Sequence, residues 1–170
     1  MAAGTTYEAI ATQTLASTAN SITFSSIPGT YTDLVIVAIG QSYTSPSYGN
    51  LQLQFNGDSG SNYSSTEFKE LGGTVSSNRR TNQSNLFATS FLDWGTANQN
   101  VGHSIINIFN YANTTTFKST ISRGNIPPYK TELNTGLWRS TAAITSINVS
   151  VNDTPINIGS IFTLYGIKAA

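Results

Sequence analysis

Apolar and polar residues alternate in short runs along the chain, and those runs predict strands. Leu51-Gln52-Leu53-Gln54-Phe55 alternates strictly, which puts apolar side chains on one face and amides on the other. Ile147-Asn148-Val149-Ser150-Val151 repeats the pattern, and Ile22-Thr23-Phe24 gives a shorter version. Leu34 to Ile39 is apolar without a break, as expected of a central strand covered on both faces. Ile105 to Phe109 and Ile161 to Tyr165 read in a similar way. Weaker strand candidates are Tyr7 to Leu15, Leu86 to Leu92, Phe117 to Ile121 and the surroundings of Leu137-Trp138.

The breaks between runs carry turn chemistry. Ile27-Pro28-Gly29-Thr30 sets Pro and Gly where a type II turn takes them, and Asn56-Gly57 is a hairpin signal behind an alternating strand. Ser45 to Asn50 and Ile126-Pro127-Pro128 read as loops, because consecutive prolines cannot continue a ladder. Ser64-Ser65-Thr66-Glu67 followed by Phe68 to Gly72 has a capping box and a glycine stop, and reads as a short helix or equally as a strand. Gly73 to Asn85 is the longest polar stretch and reads as an extended exposed loop. Together these features predict an all-β fold, an antiparallel β-sandwich or jelly roll of about nine or ten short strands with little or no helix. Residues 7–170 form one such domain in this reading, behind a small polar N-terminal arm, residues 1–6, that is expected to be flexible.

Composition narrows the function more than it narrows the fold. The 170 residues carry eight Lys+Arg against eight Asp+Glu, and charged residues are only 9% of the chain, compared with ~25% in ordinary domains. Ser, Thr, Asn and Gln together supply about 41%, so the polar surface is built from neutral hydrogen-bonding groups. Nucleic-acid binding requires clustered cations, and a polybasic membrane anchor requires the same; neither is expected here. There is no cysteine, which removes disulfides, thiol nucleophiles and thiolate metal sites. The longest apolar run is six residues, far short of the ~20 needed for a membrane helix, and no secretory signal precedes it. A soluble chain without an export signal is the expectation.

Four groups of residues invite a chemical reading. Gly57-Asp58-Ser59-Gly60 matches the nucleophile loop of chymotrypsin-like proteases, with His103 as the sole available base. The order of Ser and His is reversed relative to that family and the chain is too short for its two barrels. Gly, Asp and Ser are also ordinary turn residues, so the expectation is that the protein is not an enzyme. Asn56, Asp58, Gly60 and Asn62 alternate as in a calcium loop and Glu67 stands at the twelfth position, but only one other carboxylate, Asp58, is present and Ser61 replaces the central glycine. No cofactor or metal is expected. Trp94 and Trp138 read as core or sandwich-edge residues rather than a sugar platform. Arg79-Arg80 is the only basic pair, and arginine is favoured at interfaces. With Tyr43 and Tyr48, in a chain whose Tyr, Ser and Asn content resembles recognition surfaces, it supplies the candidate partner-contact residues.

Several phrases resemble a family of small structural proteins encoded by tailed bacteriophages, including cyanophages. They are Tyr7 to Leu15, Ile22 to Leu34, Leu53 to Ser64, Gly136-Leu137-Trp138, Thr141 to Ile147 and Ser160 to Ile167, in order along nearly the whole chain. The resemblance implies a β-sandwich virion component, often a homotrimer, with no catalytic residues to carry over. The function it implies is capsid decoration: a cement protein on the virion surface, assembled in the host cytoplasm, that binds the major capsid protein and stabilises the shell. The alternative is a tail-fibre or tailspike module recognising a host surface glycan. Val75 to Thr120 carries least of the resemblance, so partner specificity is expected there.

Overall fold

Alternation, wherever it occurs, becomes strand. The computed structural model of the protein describes residues 6–41, 49–91, 101–126, 130–152 and 154–168. In chain order its strands are β1 (Tyr7–Thr14), β2 (Ser21–Phe24), β3 (Asp33–Gly40), β4 (Gly49–Phe55), β5 (Tyr63–Leu71) and β6 (Thr74–Gln83), followed by β7 (Leu86–Phe91), β8 (Gly102–Phe109), β9 (Lys118–Ile126), β10 (Lys130–Trp138), β11 (Ile147–Val151) and β12 (Ile161–Ile167). They form an eight-stranded sheet in the order β1-β12-β3-β8-β9-β10-β5-β6 and a four-stranded sheet in the order β2-β11-β4-β7, with every pairing antiparallel. The all-β, two-sheet expectation is met, as a sandwich.

Inward residues of both sheets join one apolar cluster. Leu51, Leu53 and Phe55 of β4, Val149 of β11 and Phe24 of β2 meet Leu34 and Ile36 of β3, Ile106 of β8 and Phe162 and Leu164 of β12. Most of these are fully buried, and each such side chain contributes roughly 1.5–3 kcal/mol. Tyr63, Phe55 and Trp138 close one end with ring centroids 5.4–6.3 Å apart.

Several local expectations are corrected. Twelve strands are present among the described residues, more than the nine or ten expected. Gly73 to Asn85 is not a loop: it holds β6, the partner of β5 in a hairpin turned by Gly72 and Gly73, both at positive φ. Such backbone suits glycine because it has no Cβ. Of the two readings of Ser64 to Gly72, the strand holds: Ser64 to Leu71 lies in β5, between β10 and β6, and Gly72 opens the turn. Asn56-Gly57 does form a turn, with φ of 54° and 69°, but it passes the chain from the small sheet to the large one. The Asn56 side chain fixes that crossing by donating to Ala143 O and accepting from the backbone N–H groups of Thr145 and Ser146. Gly29 lacks the positive φ of a type II turn.

The outer face of the apolar strands is only partly covered: Val35 of β3 is buried there. β3, β8 and β12 are interior strands of the sheet, yet Ile39, Phe109 and Ile161 on their outer side remain about 40% exposed. Of the expected arm, residues 1–5 lie outside the described residues, and the Thr6 carbonyl accepts the Lys168 N–H at 3.0 Å.

Candidate functional site

The catalytic reading of Gly57-Asp58-Ser59-Gly60 meets a structural use of the same residues. The Asp58 carboxylate accepts the Trp138 indole N–H at 2.7 Å, the Gly60 N–H at 2.9 Å and the Asn62 amide. These donors, the indole first, hold its pKa below the usual carboxylate value. Tyr63 donates its hydroxyl to Asp58 O and accepts the Phe55 N–H, and burial pushes its pKa up to about 12. The motif thus anchors the end of β10 where Trp138 pairs with Lys118. His103 sits at the other end of β8, opposite Asn125, six residues along from Phe109 and Ser119. At ~3.3 Å per residue that is about 20 Å, so the fold does not bring Ser59 and His103 together.

The calcium reading separates in the same way. Glu67 points inward from β5, where Lys69 and Arg80 reach it at 3.2 Å and Lys130 at 3.7 Å. Asp58 is held at the Tyr63–Trp138 end of β5, four residues along the strand from Glu67, and is engaged there. No group of three or more metal-ligating side chains converges among the described residues.

Of the candidate contact residues, Tyr43 and Tyr48 lie outside the described residues, as does Trp94. The basic pair splits, as neighbours on a strand must. Arg80 turns toward Glu67 and lays its guanidinium 4.0 Å from the centre of the Phe87 ring. Arg79 faces the opposite way and is exposed.

The face to which Arg79 belongs is the most distinctive surface of the molecule. Register across the large sheet lines up Val35, Asn107, Ile121, Thr135, Thr66 and Arg79 in one outward row, and Val37, Ile105, Arg123, Leu133 and Phe68 in the next. Leu133 is 45% and Phe68 56% exposed. A shallow groove of about 280 Å³ crosses this face beside His103, Ile105, Arg123, Asn125 and Thr131. A second, of about 210 Å³, lies beside Arg79, Thr66, Thr135 and Leu137. Arg123 was not singled out by the sequence: it lies in a Ser/Thr-rich run, and only the register places it among apolar neighbours. The signal available was alternation, since Ile121, Arg123 and Asn125 share a side of any strand built there. No known protein-family model matches the chain, and no curated protein matches it.

Proposed function

We propose that this protein is a structural component of a tailed-phage virion: a capsid decoration protein that binds the major capsid protein on the shell surface and stabilises it, assembling in the host cytoplasm and acting as a homotrimer. Its work is adhesion, with no bond made or broken. The observation that carries the reading is the outer face of the eight-stranded sheet, on which Ile39, Phe68, Phe109, Leu133 and Ile161 stay 38–56% exposed. Eight strands at ~4.8 Å spacing and about 25 Å of length give a projected face on the order of 900 Å². A standard protein–protein interface takes ~800 Å² from each partner. Apolar burial and neutral hydrogen bonds would supply the affinity.

Binding that favours the assembled shell raises its resistance to heat by mass action. Particles assembled without this protein are expected to form and then release their genome at a lower temperature, and adding the purified protein back restores the difference. Equal release temperatures for bare and decorated particles would remove the proposal.

A further inference from the structure

We infer that the outer face of the large sheet is built for a protein surface that presents apolar side chains and two carboxylates, held by Arg123 and Arg79, whose Cα atoms stand about 16 Å apart. The inference rests on the virion reading only for the identity of that partner as the shell.

The distribution of charge carries the argument. Among the described residues, Lys69, Arg80 and Lys130 converge on Glu67 and Glu132, and Lys168 pairs with Glu8. Arg139 is tied to Ser61, Ser64 and Asn82, and Lys118 donates to the carbonyls of Thr116 and Thr141. That leaves Arg79 and Arg123. Neither guanidinium has a hydrogen-bond or ion-pair partner among the described residues, and both are exposed on the same face of the same sheet.

Three strand spacings and one two-residue step separate them, which is about 14 Å across and about 7 Å along, hence about 16 Å. Between and beside them stand Ile121, Leu133 and Phe68. A planar guanidinium takes a carboxylate through two parallel N–H donors, and apolar neighbours that exclude water strengthen the pair.

A second copy of this chain is a poorer match. Its described acids already hold donors: Glu8 with Lys168 and Tyr31, Asp33 with the Asn110 N–H, Asp58 with Trp138, Glu70 with the Gly73 N–H, and Glu67 and Glu132 with the cations above. An acidic polysaccharide would satisfy the guanidinium groups and leave Leu133 and Phe68 uncovered.

The test compares wild type, Arg79→Gln, Arg123→Gln and the double reversal Arg79→Glu/Arg123→Glu, with Lys168→Gln as an exposed-charge comparator. Fluorescence anisotropy of a labelled peptide of alternating Glu and Leu reads the chemistry; cosedimentation with phage particles stripped of the protein reads the partner. Each single change is expected to weaken binding about fivefold at 50 mM NaCl and the double reversal at least 50-fold, with Lys168→Gln unchanged. Arginine-dependent peptide binding without particle binding supports this inference and removes the virion reading. Particle binding that is equal in wild type and the double reversal overturns this inference and leaves the virion reading standing. Binding of neither probe by wild type overturns both. Arginine-dependent binding of polygalacturonate in place of the peptide, or sedimentation of a wild-type dimer that the reversal dissolves, also overturns it, in favour of a glycan or a second copy.

Discussion

Two halves of the interior are built on opposite chemistry. Where β2, β11 and β4 cover the large sheet, the inward residues are Ile, Leu, Val and Phe. Where β7 covers β9, β10 and β5, they include Thr120, Ser122, Lys130, Glu132, Asn134 and Glu67, all buried. The difference follows from the position of β7 at the edge of the small sheet. Its Cα atoms come within 8 Å of β8, β9, β10 and β5, closer than the ~10 Å usual between stacked sheets. Gly124 and Gly136 make the approach possible: a Cβ on Gly124 would stand 3.0 Å from Thr89, and one on Gly136 would meet Thr120 Oγ1 and stand 2.7 Å from Leu86. At that range, side chains of the large sheet reach the free edge of β7. Ser122 donates to Ala88 O, Glu132 accepts the Ser90 N–H, and Lys130 donates to Ser90 Oγ and pairs with Glu132 at 2.9 Å. An open strand edge leaves backbone groups that need partners. Here inward polar side chains provide them, and the lesson is that a buried polar face can be the cover for a strand edge.

The contrast can be tested at single positions by urea denaturation. Lys130→Met removes the ammonium that serves Glu67, Glu132 and Ser90, leaving buried carboxylate charge uncompensated; a loss of about 4 kcal/mol is expected. A loss under about 1 kcal/mol would show that the polar half is not held by its charges. Leu53→Ala, in the apolar half, is expected to cost about 3 kcal/mol through the cavity it opens. Gly136→Ala forces β7 away from β10 and is expected to cost about 2 kcal/mol, with the Phe87 region losing amide protection in hydrogen exchange. The smallest effect has the opposite sign. Among the described residues, Asn134 is buried with neither its amide nitrogen nor its side-chain oxygen hydrogen-bonded, so Asn134→Leu is expected to raise stability by about 1 kcal/mol. A destabilisation of similar size would reveal a bonding role for that amide.

The same contrast decides what the sequence makes legible. β4, β11 and β2 are readable because their apolar residues face inward and their polar residues outward, as Leu51 to Phe55 displays. β5 and β10 invert that relation: Glu67 and Glu132 point inward while Phe68 and Leu133 point outward. A reading that sends apolar residues to the core therefore has no consistent face to find there. β6 is missed for another reason, since nearly all of its residues are exposed and its pairing with β5 leaves no hydrophobic period. The outer-face site is partly visible through Arg79, whereas Arg123 acquires its meaning only from cross-strand neighbours ten or more residues distant in the chain. The Asp58 turn was legible as a turn, and its grip on Trp138, 80 residues away, was not.

The lysine and glutamate of β10 have one more consequence. They stand two residues apart on the same side of the strand, so their inward placement holds for only one parity of pairing with β9 and β5. A slip of one residue would turn both charges out to solvent and press Thr131 and Leu133 against β7, whose Ser90 N–H would then lose its acceptor. In a chain so rich in Ser, Thr and Asn, neutral polar side chains alone discriminate poorly between alignments. The buried charges act as a proofreading device that separates the correct alignment from its neighbours.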